Sequence, residues 1–129
     1  MIQFTHKLKT KMTTRARGQY FENLALKYLK SSGLRLIERN YACKAGEIDL
    51  ICSDQETMVF IEVRFRKNES YGSGTQTVQK GKQEKIINTA KLFLVNKGLY
   101  DKIDCRFDVL GISLEKGEPT YQWIKNAFP

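Results

Sequence analysis

Between residues 34 and 65, three apolar runs follow one another so closely that only a meander of strands accommodates them. Leu34 to Tyr41, Glu47 to Cys52 and Met58 to Phe65 are each too short for a packed helix. They are separated by the turn-like stretches Lys44-Ala45-Gly46 and Ser53-Asp54-Gln55-Glu56, which points to antiparallel pairing of neighbours. On either side the periodicity changes. From about Ala16 to Ser32, Phe21, Leu24, Ala25, Tyr28 and Leu29 recur at spacings of three and four, and Gly33 ends the run. A second helical pattern runs from about Val78 to Asn96, with Ile86, Ile87, Ala90, Phe93 and Leu94 on one side, and Gly98 closes it. Strands from Cys105 to Ser113 and from Thr120 to Ile124 complete an α-β-β-β-α-β-β order. That order predicts an α/β fold in which helices flank one sheet. The chain of 129 residues shows no repeat, low-complexity block or linker, so residues 16–129 read as one domain. Residues 1–15 lack periodicity and contain no acid, and they read as a basic, mobile arm.

Charge narrows the partners. Lys and Arg outnumber Asp and Glu by 22 to 14, a formal net charge of +8. Such an excess suits a polyanion, because each cation set against a phosphate releases condensed counterions. It also suits a protein that is merely basic and soluble, and charge alone does not separate the two. The cysteines are Cys43, Cys52 and Cys105, an odd number with no close pair. They give neither a disulfide framework nor thiolate zinc spacing and fit a reducing cytosol. Cys52 and Cys105 sit in strand-like apolar surroundings, where a buried, inert thiol is expected. His6 is the only histidine, which disfavours a His-rich metal site and a Ser-His-Asp triad. No run reaches the ~18 apolar residues needed to cross a membrane, and the Lys- and Arg-bearing N-terminus lacks the apolar core of a signal peptide. A cytoplasmic protein without a membrane partner is the expectation.

The chemistry then has to run on carboxylates, lysines and arginines. Asp49 stands in the otherwise apolar run Ile48, Leu50, Ile51, where an aspartate is costly unless something binds it. In the next strand, Val59, Ile61, Val63 and Phe65 take one face, and Glu62, Arg64 and Arg66 take the other. If the strands pair, Asp49 and Glu62 can converge on one hard cation such as Mg2+ or Mn2+. Such an ion polarises a phosphodiester. Glu22 falls inside the apolar arc of the first helix, either reaching into a site or paired with an Arg or Lys at its rim. On the second helix Lys82 projects at about 40° and Gln83 at about 140° from Val78, on the apolar side. Either both point into a polar pocket or Lys82 snorkels over the helix edge. Arg64, Arg66, Lys67, Lys80, Lys82 and Lys85 form a basic cluster for phosphate contact, beside a glycine-containing loop at Tyr71. Arg106 and Asp108 share one strand face, where a structural ion pair is expected, and Trp123 reads as a core or rim anchor.

Gly46-Glu47-Ile48-Asp49-Leu50-Ile51, Phe60-Ile61-Glu62-Val63-Arg64-Phe65-Arg66, Lys82-Gln83, Arg106-Phe107-Asp108 and Asn126-Ala127-Phe128 together resemble the YraN family of bacterial proteins over residues 16–128. The resemblance implies a restriction-endonuclease-like fold of the PD-(D/E)xK nuclease superfamily, with an α-β-β-β-α-β core and a mixed central sheet. It carries the superfamily aspartate onto Asp49 and the acid of the triplet onto Glu62. It also makes Glu22 an additional metal or orienting ligand, as in resolvase-like relatives. Ile48 replaces the proline. Arg64 stands where the superfamily has lysine, and arginine stays charged and cannot serve as a base. By the same resemblance Lys82 is the substitute lysine, with Gln83 supporting it. The function implied is a Mg2+- or Mn2+-dependent nuclease acting on branched or structured nucleic acid, DNA before RNA, like a Holliday-junction resolvase. The alternatives are a non-catalytic nucleic-acid-binding protein on a nuclease scaffold, or a scaffold for an acidic protein partner. The sequence leaves a homodimer open.

Overall fold

Helix α1 (Thr14–Ser31) starts where the Thr13 hydroxyl accepts a hydrogen bond from the Ala16 N–H at 3.0 Å. The helix therefore begins two residues earlier than its apolar periodicity indicates, because a cap is set by one side chain rather than by the pattern. The computed structural model describes residues 13–66 and 78–129. Most of the N-terminal arm, Lys67 and the loop around Tyr71 lie outside the described residues. Helix α1 leads into β1 (Arg35–Cys43), β2 (Gly46–Asp54) and β3 (Thr57–Arg66). Then come α2 (Lys80–Asn96), β4 (Asp104–Glu115) and β5 (Glu118–Phe128).

The strands form one sheet in the order β1-β2-β3-β4-β5. The first three pair as the expected antiparallel meander. β4 then lies parallel to β3 from Thr57↔Asp104 to Arg66↔Ser113, a pairing that requires the crossover carrying α2. β5 returns antiparallel through a two-residue turn in which Lys116 and Gly117 both have positive φ, as a tight hairpin demands. This is the mixed, helix-flanked α/β sheet expected from the element order.

Alternation along the strands divides the core in two. Phe21, Ala25 and Leu29 of α1 pack with Leu50, Val59, Ile61 and Leu110 on one face. Ile86, Ala90 and Phe93 of α2 pack with Ile51, Phe60 and Val109 on the other. Each of these buried large side chains stabilises the fold by about 1.5–3 kcal/mol. β3 lies between β2 and β4 with apolar residues on both faces, which makes it the most enclosed element. The two helices differ at their starts. Thr13 caps α1, whereas the N-cap of α2, Gln79, makes no side-chain capping bond. Near the start of β2, a Cβ on Gly46 would meet Thr89 Oγ1 at 3.1 Å, so this glycine lets α2 seat closely on the sheet. Among the described residues no helix is long and apolar enough to cross a membrane.

Candidate active site

The β2–β3 ladder runs from Asp54↔Thr57 to Leu50↔Ile61 and stops there. Beyond that pair the Asp49 carboxylate takes over, with Oδ2 accepting the Val63 N–H at 2.9 Å. Asp49 thus sits in the fork between the strands. Ile48 and Ile51 belong to the α2-side core and Leu50 to the α1-side core. Asp49 lines a cleft with Phe21, Val63 and Phe65 on the α1 side, so two successive residues of β2 turn toward α1. Across from this break, Asn40 of β1 has φ 52°, a left-handed conformation that few residues other than glycine and asparagine adopt readily.

The environment acts on Asp49 strongly. Burial, then the neighbouring Glu62 charge, push its carboxyl up to about 7, with Glu22 adding to the rise. The Val63 N–H and the Lys82 ammonium oppose that rise without cancelling it. Glu62 itself lies on β3 facing α2, and Lys82 Nζ stands 2.9 Å from its Oε2. The glutamate side chain is 7% exposed and that of the lysine 54%. Asp49 therefore opens to the α1 side of the sheet and Glu62 to the α2 side, near enough for their charges to act on each other, with one ammonium reaching Glu62 from the first turn of α2.

Three expectations are corrected here. Lys82 is not on the buried side of α2. The first turn of a helix has no preceding turn to cover it, so the stem is exposed and only the ammonium reaches inward. Gln83 does not point into the site, because its Nε2 donates to the Val78 carbonyl at 2.6 Å, within its own helix start. Arg66 is buried at 7% exposure, and burial, with the Arg64 charge, lowers its pKa, so it does not belong to a surface that meets phosphates. Arg64 is half-buried on the same strand face. Lys80 and Lys85 are exposed, and Lys82 and Lys85 flank a groove of about 460 Å3 floored by Gly46 and Gly81.

Glu22 makes the ion pair with an arginine at the rim. Its Oε1 accepts from Arg39 Nη2 at 3.1 Å and from Asn40 Nδ2 at 3.0 Å, yet it lines the same cleft as Asp49 and raises its pKa. Among the described residues, no three His, Cys, Asp or Glu side chains are grouped to hold a metal ion. Asp49 and Glu62 lie on adjacent strands, and Glu22 is held at the rim. The β1 partners Arg39 and Asn40 escaped the sequence reading. Their one signal was a polar Arg-Asn step inside an otherwise strand-like run. Arg17 was also missed as a site residue; its guanidinium lies 5.2 Å from the Phe65 ring centroid.

Away from the site, Asp108 is wholly buried and fully engaged. It accepts from Arg106 Nε at 3.1 Å, Trp123 Nε1 at 2.9 Å and the Asn126 N–H at 3.0 Å. Arg106 also pairs with Asp54 at 3.0 Å. The expected structural ion pair is present, with Trp123 as its donor and anchor. The cysteines divide. Burial pushes the Cys52 thiol up to about 11, whereas Cys105 is exposed, against expectation, because it is the second residue of β4, at the exposed end of that strand.

Fold and site together define an α/β protein with one mixed five-stranded sheet flanked by α1 and α2 and an acidic cleft where β2 and β3 part. The profile of the uncharacterised protein family UPF0102 matches residues 21–112, and the chain belongs to that family, the YraN proteins. It is 50% identical over 113 residues to a UPF0102 protein of Psychromonas ingrahamii, covering 88% of this chain and 89% of the relative. It is 46% identical to one of Alcanivorax borkumensis, covering 94% and 95%. It is 45% identical to one of Stutzerimonas stutzeri, covering 86% and 92%. Among solved structures it is similar to Pyrococcus furiosus SfsA in complex with Ca2+, with TM-score 0.42 and 16% identity, over 87% of this chain and 63% of that one. The fold class rests on the connectivity rather than on this likeness.

Proposed function

We propose that this protein is a divalent-cation-dependent nuclease of the cytoplasm, acting on branched or otherwise structured DNA. The observation that carries the reading is the Asp49 carboxylate, fixed by the Val63 N–H at 2.9 Å where β2 and β3 part and open to a cleft that Glu22 shares. Two carboxylates forced together in this way are stabilised by a proton or a cation, and functional sites concentrate such groups. The donors fit Mg2+ or Mn2+, since Mg2+ is commonly bound through one or two carboxylates with water and phosphate oxygens completing its shell. When bound, the ion would supply Lewis-acid polarisation of the phosphodiester. The Val63 N–H orients Asp49, and Arg39 with Asn40 fixes Glu22 beside it. Lys82 neutralises Glu62 in the absence of a cation, and its exposed stem leaves the ammonium able to turn to a phosphate or an attacking water. Arg64 contributes fixed positive charge on the same face of β3, and Lys80 and Lys85 extend it along α2.

Arg64 favours a second reading, a nucleic-acid-binding protein without cleavage, because arginine cannot give up its proton in the lysine's place. The two readings separate on one experiment. Purified protein is incubated with branched, duplex and single-stranded DNA and RNA in Mg2+, Mn2+ or EDTA. Cleavage that needs the cation and disappears in Asp49→Asn supports the nuclease. Binding with no cleavage under any condition replaces it with the second reading, and neither binding nor cleavage favours an acidic protein partner.

A further inference from the structure

A second feature adjoins the fork. The α1-side cleft, about 310 Å3 in volume, has Asp49 and Glu22 on its polar side and Phe21, Val63 and Phe65 on its apolar side. Phe21 and Phe65 stack at a centroid distance of 4.0 Å, and the Arg17 guanidinium lies over Phe65 on the exposed flank of α1. Arg17 is exposed, so a guanidinium stands at the solvent edge of this aromatic pair. On the other side of the sheet the groove between Gly46 and Gly81 is flanked by Lys82 and Lys85. One opening is aromatic and apolar with a guanidinium at its rim. The other is lined by Gly46, Gly81 and Ile86, with Glu47, Lys82 and Lys85 around it. Asp49 and Glu22 line the first opening, and Glu62 lies on the α2 face of β3 against Lys82.

These two surfaces ask for different parts of a nucleotide. Lysines beside bare glycine backbone suit phosphate and sugar, which need charge and close approach. A guanidinium backed by stacked rings suits a nucleobase, whose face stacks on such planes once it has left its neighbours. The cleft has the size for one nucleotide and not for a base pair. A base paired in a continuous helix cannot enter it, because its Watson–Crick edge is occupied and its faces are already stacked. We infer that the cleft receives one unstacked nucleotide of the bound strand, its base against the Arg17 guanidinium beside Phe65, so that the protein selects DNA with unpaired nucleotides at the site. The inference rests on the nucleic-acid part of the reading above and names its substrate class.

Gly18 provides a clean test. It lies on α1 at the cleft wall, and a Cβ there meets nothing within 4 Å, so Gly18→Leu fills the opening while favouring the helix. Affinities are measured in EDTA by fluorescence anisotropy for a short DNA duplex and for the same duplex with a few nucleotides of one strand unpaired. The wild type should prefer the gapped duplex by about tenfold, the order of one stacked base. Gly18→Leu and Arg17→Ala should each bring that ratio toward one while their helical circular dichroism is retained. A wild-type ratio of one overturns the inference, as does a ratio that survives both substitutions. Equal weakening on both DNAs in Arg17→Ala reduces that residue to a phosphate contact and overturns it too. Cation-dependent cleavage with no gap preference sinks the cleft alone. A gap preference without cleavage sinks the nuclease alone, and failure to bind DNA removes both.

Discussion

Lys82 Nζ lies 2.9 Å from Glu62 Oε2, a link between the first turn of α2 and the most enclosed strand of the sheet. The lysine is more than half exposed, so the pair adds little to stability. Its weight is chemical. A lysine two residues after Glu62 on the same strand would sit beside the acid by alternation alone, and Arg64 occupies that position. The ammonium reaches Glu62 from another element instead.

The two cationic residues should therefore fail differently. Lys82→Ala is expected to abolish cleavage while changing DNA affinity by less than about tenfold, since one phosphate contact is a small part of the total. Arg64→Lys should retain or raise cleavage. Single-turnover rates on a branched substrate decide it, and an active Lys82→Ala removes the lysine from the chemistry.

Cation binding should rank the acids. In a Mn2+ titration followed by calorimetry, Asp49→Asn and Glu62→Gln should each weaken binding by about tenfold or more. Glu22→Gln, whose carboxylate is already held by Arg39 and Asn40, should cost less. Equal binding by wild type and all three variants would exclude this site.

Asp49 should make metal-free stability fall as pH rises. Its carboxyl is raised from an ordinary 3.8 to about 7, so the folded state holds a proton that the unfolded chain has lost between those values. The stabilisation is complete below about pH 4 and is lost as pH climbs to about 7, at no more than about 1.4 kcal/mol per pH unit. Urea midpoints in EDTA at pH 5 and pH 8 should show a drop in the wild type that is smaller in Asp49→Asn. Identical drops in both proteins would assign the effect to other groups.

Lys80 and Lys85 should account for part of the salt dependence of DNA binding. Each phosphate contact contributes roughly 0.9 to the log–log slope, so the double alanine variant should lose about 2. Arg66→Met should leave the slope as it was, because that guanidinium is buried. A slope change of similar size in Arg66→Met would show that the strand end opens on binding.

Asp108 predicts a purely structural loss. Asp108→Ala leaves Arg106, Trp123 Nε1 and the Asn126 N–H without their shared acceptor, and removing one partner of a buried pair costs about 3–5 kcal/mol. Chemical denaturation measures it. A loss below about 1 kcal/mol would mean that water replaces the carboxylate.

Much of this was legible because strands and helices announce themselves by period. An acid inside an apolar run is conspicuous, which is why Asp49 and Glu62 stood out. What a period cannot give is depth. Alternation put Arg66 on the face of Glu62 and Arg64 but could not say that it was buried. An angular plot set Lys82 and Gln83 inward, although a first turn overhangs the sheet and an amide can satisfy itself on the Val78 carbonyl. Ladder ends were set short where partners decide them. β5 runs on to Phe128 past a register shift opposite Asp108, where Asn126 takes φ 52°. Arg17 and Phe65 meet only after α1 lies across β3, so no local pattern marks them.

The uncapped start of α2 has a consequence for how the protein can change. Glu62 is built into the β3–β4 ladder opposite Val109, and Asp49 is tied to β3 by the Val63 N–H. Lys82 stands in a helical turn that the Gln79 side chain does not tie down and that Gly81 leaves without a side chain. One half of the centre is set by strand pairing, the other by a helix start held through Gln83 on the Val78 carbonyl and the Gln79 backbone. Substitutions at residues 79 to 81 should retune the reach of the ammonium while leaving the melting temperature almost where it was, and a screen for altered substrate choice should begin there.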